Sequence, residues 1–81
     1  MSDIGTAFAA AVRKRRQARG LSQEALAEFA GINRTYMSSI ERAKSVPSLE
    51  TAHRIALALD MTLHDLIQEC DSAISDPRAS H

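Results

Sequence analysis

The segment from Ser22 to Arg42 limits most strongly what this chain of 81 residues can fold into. Two short amphipathic stretches lie on either side of Gly31, and each begins at a good helix-capping residue, Ser22 for the first and Asn33 for the second. Glycine readily adopts the left-handed conformation that ends a helix, whereas most other residues resist it. The segment therefore predicts two short helices joined by a tight turn at Gly31.

Each of these two helices has an apolar face. Leu26, Phe29 and Ala30 follow the i, i+3, i+4 spacing of one face of the first helix, and Met37 and Ile40 share a face of the second. The two faces are expected to pack into a common core. Helices joined in this way form a helix-turn-helix motif, whose second helix enters the major groove of DNA in DNA-binding proteins.

The opposite side of the second helix carries short hydroxyl side chains flanked by arginines. Such a face suits close approach to the edges of DNA bases, where bulkier side chains would clash. The motif and this face together predict a sequence-specific DNA-binding protein. The residues of this face, called the recognition face below, are Arg34, Thr35, Ser38, Ser39 and Arg42.

The segment resembles the helix-turn-helix of the phage repressor and Cro superfamily, often called the Xre family, over about residues 8–67. The resemblance implies an all-α, compact five-helix domain of the lambda-repressor type. The tetrapeptide at 33–36, in so short a chain, further resembles the controller proteins of restriction–modification systems. The matching positions are Leu26, Ala27, Gly31, Ile32, Met37 and Ile40, with the flanking stretches 19–23, 40–42 and 47–51.

The rest of the sequence predicts three further helices and no strand. The first helix of the chain is expected from Ser2 or Thr6 to Arg19, with an apolar stripe at Ile4, Phe8 and Val12. The fourth and fifth follow the capping residues Ser48 and Thr62, and Asp65 suits a capping box with Thr62. The inner face of the fourth helix is expected at Leu49, Ala52, Ile55, Ala56 and Leu59.

These helices define one domain and a short tail. Residues 1–70 are expected to form a DNA-binding and dimerisation domain with the motif at 22–42. Residues 71–81 are mostly polar and are expected to form a flexible tail.

The net charge of zero conceals a split between the two halves of the chain. Residues 1–44 carry eight Lys and Arg against four acidic residues, whereas residues 45–81 carry two against six. A basic end attracts DNA phosphates, and the acidic end is a candidate contact for RNA polymerase. The alternative is two solvated faces of opposite sign.

Other function classes have little support. No apolar run approaches the roughly 18 residues of a membrane span. The single Cys70 cannot form an intrachain disulfide, which is consistent with a cytoplasmic protein. His53, His64, His81 and Cys70 follow no ligand or triad spacing, so we expect no catalytic activity, cofactor or metal.

Four residues of the recognition face are expected to contact bases. Arg34 can donate two hydrogen bonds to guanine, and a threonine offers a hydroxyl together with a methyl group for thymine. The expected base contacts are Arg34, Thr35, Ser38 and Ser39.

A second group of residues is expected at the DNA backbone. Arg42, Lys44 and Ser45 lie where the chain leaves the groove, which favours phosphates over bases. Asn33 caps the second helix of the motif and can also touch a phosphate. The family resemblance implies that Gln23 binds a phosphate and braces this helix. The controller resemblance implies that the hydroxyl of Tyr36 reaches DNA, and packing of its ring on the core edge is the alternative.

Arg16 and Glu41 stand apart from these contacts. Arg16 continues the apolar stripe of the first helix four residues after Val12, and Glu41 follows Met37 by four, so both are expected to point inward. The family resemblance implies that they form a partly buried ion pair between the first and third helices. A phosphate contact is the alternative for Arg16.

The last predicted helix carries an apolar stripe beyond the needs of a four-helix core. One recognition helix contacts few base pairs, whereas a two-fold dimer on a palindromic operator places two such helices about 34 Å apart. We expect a homodimer, and the alternative is that the stripe closes the core of the protomer itself. The expected interface residues are Leu59, Met61, Leu63, Leu66, Ile67 and Cys70.

The expected function is transcriptional control of a restriction–modification operon through double-stranded operator DNA. Short phage-type repressors share much of the sequence pattern. Antitoxins, which bind a protein toxin and repress their own operon, share it as well, and both remain alternatives.

Overall fold

The computed structural model of the protein describes residues 3–74, which form five α-helices and no strand. The expected all-α, five-helix architecture is therefore confirmed. None of these helices is long and apolar enough to cross a membrane. The helices are α1 (Ile4–Ala18), α2 (Gln23–Ala30), α3 (Arg34–Glu41), α4 (Leu49–Ala58) and α5 (Leu63–Ile74).

The end of α5 corrects the expected start of the tail. The polar composition predicts a tail from residue 71, but α5 continues to Ile74, so residues 71–74 are helical. No glycine or proline precedes Pro77 in this stretch, so nothing in the backbone ends the helix at Cys70. The rest of the expected tail lies outside the described residues, as does Ser2.

The helix boundaries follow from local capping. A capping oxygen accepts a hydrogen bond from a backbone N–H that has no partner inside its helix. Gly31 ends α2 in the left-handed conformation, with φ of 74°. The capping side chains are Asp3, Ser22, Asn33, Ser48 and Thr62, which accept from the N–H groups of Thr6, Ala25, Tyr36, Thr51 and Asp65. These capping bonds confirm the expected starts of α2, α3, α4 and α5.

All five helices share one core. α1 packs on α3 and α5, α2 packs on α3 and α4, and α4 packs on α5. Helix α3 is therefore held from one side by α1 and α2, which leaves its other side available to a ligand. The largest fully buried side chains are Val12, Leu26, Met37, Ile40, Ile55, Leu59, Leu66 and Cys70.

Three apolar residues that were expected on inner faces are exposed instead. Ile4, Phe29 and Leu49 have 47%, 65% and 77% of their surface accessible. Apolar spacing indicates roughly which side of a helix is buried but does not fix the edges of the buried arc. In α2 the buried arc runs over Leu26, Ala30 and Ala27, so Phe29 lies beyond its edge. Ile4 and Leu49 are the first residues of their helices, beyond the reach of the core.

The structure divides the apolar stripe that was expected to form a dimer interface. Leu59, Leu66 and Cys70 are at most 2% accessible, so their assignment to an interface is wrong. A chain of this length needs these side chains for its own core. Burial also raises the pKa of the Cys70 thiol and keeps it protonated. The other members of the stripe, which pack only partly against the core, are Met61, Leu63 and Ile67.

Candidate nucleic-acid interface

The recognition face of α3 is open to solvent. Arg34, Thr35 and Arg42 are exposed, and Ser38 and Ser39 are partly exposed. Because an α-helix turns about 100° per residue, these five side chains lie along one continuous strip. The strip offers hydroxyl and guanidinium groups, which are hydrogen-bonding partners of base edges and phosphates.

The opposite side of α3 anchors the helix in the protein. Met37 and Ile40 are 0% and 1% accessible, which confirms their expected inward orientation. Tyr36 is partly buried and its side chain packs against the core. The ring therefore lies at the core edge, where part of it stays exposed to solvent. The inner side of α3 is thus fixed by packing along most of its length.

The carboxylate of Glu41, the last residue of α3, is bound by two other helices. Arg16 in α1 donates from Nε to Glu41 Oε2 at 2.8 Å and from Nη2 to Oε1 at 3.0 Å. Gln23 at the start of α2 donates from Nε2 to Oε1 at 3.2 Å. The side chains of Arg16 and Glu41 are 14% and 2% accessible, so this ion pair is largely shielded from water. The pair implied by the family resemblance therefore forms and links α1 to α3.

Arg16 donates one further hydrogen bond, and Gln23 links two helices. Arg16 Nη1 donates to the backbone carbonyl of Leu21 at 2.8 Å, which attaches the α1–α2 turn to the same cluster. Through its bond to Glu41, Gln23 connects the start of α2 with the end of α3. The ends of three helices therefore meet around one carboxylate.

Arg13 also contacts Glu41, but through the main chain. Its Nη1 donates to the Glu41 carbonyl oxygen at 2.9 Å. Arg13 lies off the apolar stripe of α1 and is exposed to solvent. No pattern in the sequence marks the contact, since the acceptor is a backbone atom 28 residues away. Sequence reasoning therefore missed this residue.

The segment after α3 folds back against the recognition helix. Ala43 has φ of 59°, a left-handed conformation that reverses the chain. The Lys44 N–H then donates to the Ser39 carbonyl at 2.8 Å, and the hydroxyl oxygens of Ser39 and Ser45 lie 2.8 Å apart in a hydrogen bond. Lys44 and Ser45 are thereby held next to the recognition face, and the Ser39 hydroxyl is turned toward Ser45.

Much of the positive charge in the first half of the chain is engaged within the protein. Arg15 pairs with Glu69, and Arg19 lies 3.9 Å from Asp60. Arg13 and Arg16 are occupied at Glu41. The basic residues before residue 45 that form no ion pair among residues 3–74 are Arg13, Lys14, Arg34, Arg42 and Lys44, and Arg13 is bonded to the Glu41 carbonyl. Three of the other four lie on α3 or directly after it, so the unpaired positive charge is concentrated at the recognition face.

Residues 3–74 contain no group of His, Cys, Asp and Glu that could hold a metal ion. The exposed surface of α3 offers hydrogen-bonding groups and positive charge, and the buried Met37 and Ile40 hold the helix on its other side.

This arrangement is that of a helix-turn-helix domain. Residues 12–66 match the helix-turn-helix family, and the chain belongs to this family of DNA-binding transcriptional regulators. Its relatives are regulators rather than enzymes, in agreement with the expected lack of catalytic activity.

Individual relatives include controller proteins. The chain is 40% identical over 65 residues to the control protein C.SmaI of Serratia marcescens, covering 80% of this chain and 77% of C.SmaI. It superposes on the restriction-modification controller protein C.AhdI of Aeromonas hydrophila with a TM-score of 0.74 and 37% identity, covering 76% of this chain and 94% of that one. The clp gene regulator ClgR of Corynebacterium glutamicum superposes with a TM-score of 0.88 at 25% identity, covering 98% and 84%. The expected similarity to controller proteins is thereby confirmed.

Some curated relatives are longer than this chain. It spans 60% and 53% of two SinR regulators from Bacillus species and 44% of the regulator DdrOP3 of Deinococcus deserti.

Proposed function

We propose that the protein binds a palindromic operator as a homodimer and controls transcription of a restriction–modification operon. The observation that carries this proposal is the open recognition face of α3, backed by the buried Met37 and Ile40. Similarity to controller proteins supports the choice of operon. The exposed carboxylates Glu50, Asp60 and Asp65 are candidate contacts for RNA polymerase.

Base recognition is assigned to the recognition face. Arg34 is exposed at the first position of α3, where its guanidinium can reach guanine O6 and N7. Thr35, which is exposed, and Ser38, which is partly exposed, offer hydroxyls one turn apart. Ser39 can contact a base only with the hydrogen-bonding capacity left over from its bond to Ser45. Arg34, Thr35 and Ser38 therefore contribute most to base recognition.

Backbone contacts are assigned to the two ends of the motif. Arg42, Lys44 and Ser45 surround the end of α3 and supply two exposed cations. Asn33 and Gln23 lie at the starts of α3 and α2, where free backbone N–H groups attract phosphate. Contact of the Tyr36 hydroxyl with DNA is proposed together with these, since its ring is only partly buried.

Selection of bound duplexes from random-sequence DNA tests the proposal as a whole. We expect an enriched site with two-fold symmetry whose half-sites lie one helical turn apart. Failure to enrich any sequence at moderate salt would contradict the proposal. The genes that adjoin the coding sequence separate the candidate contexts: a methyltransferase and an endonuclease support control of restriction–modification, a toxin gene supports an antitoxin, and phage genes support a phage repressor.

Arg34→Ala is expected to weaken binding to the selected operator by about 1–3 kcal/mol, because it removes a two-bond contact with one guanine. Preference at a single base pair in each half-site should relax, while the other positions keep theirs. Competition titrations against duplexes substituted at each position measure this. An equal loss on every duplex would reassign Arg34 to a phosphate.

The proposed dimer surface is reduced to the partly buried members of the α5 stripe, Met61, Leu63 and Ile67. Leu63 and Ile67 are four residues apart and so neighbour each other along α5. Partly covered apolar side chains are suited to burial against a second copy.

Ile67→Glu is expected to weaken dimerisation more than about tenfold, because a charge would be desolvated in the interface. Leu57→Glu is the control, since Leu57 is 58% exposed on α4 and lies outside the proposed surface. Sedimentation of both variants over a range of concentrations measures the effect, and circular dichroism verifies that they are folded. A folded Ile67→Glu protein that associates like the original would exclude this interface.

A further inference from the structure

Two arginines of α1 hold the same residue of the recognition helix in different ways. Arg16 binds the Glu41 carboxylate, and Arg13 binds the Glu41 backbone carbonyl at 2.9 Å. Arg13 and Arg16 are three residues apart and so lie on neighbouring turns of one side of α1. The last residue of α3 is therefore attached at its side chain and at its main chain.

The carbonyl that Arg13 binds belongs to the end of a helix. The last carbonyls of an α-helix have no partner inside the helix, and a cation there also interacts favourably with the helix dipole. α3 itself has no basic residue in its last turn, so Arg13 supplies from α1 what the helix lacks. The Arg13 contact is partly buried.

The two attachments have different consequences for α3. A carboxylate on a flexible side chain leaves the backbone behind it free to tilt, whereas a bond to the carbonyl holds the backbone itself. Arg42 directly follows Glu41 in the chain. The chain then folds back, and the Lys44 N–H donates to the Ser39 carbonyl. A shift at Glu41 would thus move both the end of the recognition face and the cations beside it.

We infer that Arg13 is a positioning residue for operator discrimination: it fixes the end of α3 and does not bind a DNA phosphate. The inference rests on the proposed function. Recognition of base edges depends on side chains held within about 0.5 Å of their productive positions, whereas attraction to phosphates tolerates more movement. Loss of Arg13 should therefore reduce specific binding and leave non-specific binding unchanged.

The test compares Arg13→Met with Lys14→Met in the full chain. Methionine keeps a long side chain and removes both the charge and the donor. Lys14 is the matched control, because it is the adjacent cation on α1 and is exposed without a partner among residues 3–74. Affinity for the selected operator and for a random-sequence duplex is measured at four salt concentrations.

For Arg13→Met we expect about tenfold weaker operator binding, as for the loss of one charge-assisted hydrogen bond. Affinity for random duplex and the slope of log K against log salt should equal those of Lys14→Met. If instead Arg13→Met loses affinity equally on both duplexes, with a slope reduced by about 0.9 relative to the control, Arg13 binds a phosphate and the inference is overturned. Unchanged operator binding overturns it as well.

Amide hydrogen exchange in the free protein provides a second readout. In Arg13→Met, the N–H groups of Arg42 and Lys44 should exchange about tenfold faster, while those in α5 keep their rates, because only the end of α3 is released. Uniform acceleration in all helices would show a general loss of stability and overturn the inference. Since this measurement needs no DNA, failure of the proposed function and failure of the Arg13 assignment are distinguishable.

Discussion

Replacing Glu41 with leucine is expected to lower the free energy of unfolding by about 3–5 kcal/mol, because it leaves the guanidinium of Arg16 with little water and no counter-charge. The side chain of Arg16 is only 14% accessible, and two of its three bonds end on the Glu41 carboxylate. Arg16→Ala should destabilise the protein similarly by leaving the carboxylate unpaired. Urea unfolding of the free protein, followed by circular dichroism, measures both changes.

Two further variants give this prediction its controls. Glu50→Ala removes an exposed pair with Arg54, in which the Glu50 side chain is 76% accessible, and should change stability by no more than about 0.5 kcal/mol. The double variant Arg16→Met with Glu41→Leu removes both charges together and should recover most of the loss. A Glu41→Leu protein within about 1 kcal/mol of the original would mean that Arg16 finds water or another partner when Glu41 is absent.

Leu66→Ala is expected to cost about 2–5 kcal/mol, because it opens a cavity where α5 meets the rest of the core. Leu66 is 0% accessible within the protomer. For the same reason Leu66→Arg should unfold the protein, and it cannot report on assembly. The measurement is again the free energy of unfolding in urea, made at several protein concentrations so that any contribution of dimerisation is visible.

Leu57→Ala provides the matched control for this cavity. Leu57 is 58% accessible, so the same truncation should change stability by about 0.5 kcal/mol or less. Equal losses of stability for the two leucines would contradict the burial of Leu66 inside a single protomer. They would place Leu66 on the surface of the folded protomer.

The parts of the fold that sequence predicts well are those set by neighbours along the chain. Ser22, Asn33 and Ser48 cap helices because each acceptor lies three residues before the amide that it satisfies. The left-handed turn at Gly31 is equally local. The inward residues Met37 and Ile40 follow from periodicity, since α3 has one strongly apolar side.

The parts that sequence misses depend on contacts between distant segments. Periodicity groups Leu66 with Ile67 on one stripe, but only packing against other helices shows that the first is sealed in the core and the second is not. Phe29 is exposed because the buried arc of α2 is turned toward Ala27, away from Phe29. The bond from Arg13 to the Glu41 carbonyl leaves no trace in residue types, because every residue at position 41 would offer the same backbone carbonyl.

The division of α3 into an anchored side and an open side bears on how such a regulator acquires a new target. Arg34, Thr35 and Ser38 contribute nothing to the buried core, whereas Met37, Ile40 and Glu41 are all at most 2% accessible. Substitutions on the outside of this one helix can therefore change which operator is bound while the scaffold keeps its stability. Ser39 is the exception, because its hydroxyl is hydrogen-bonded to Ser45. Substitutions near the start of α3 should therefore change the operator more readily than substitutions near its end.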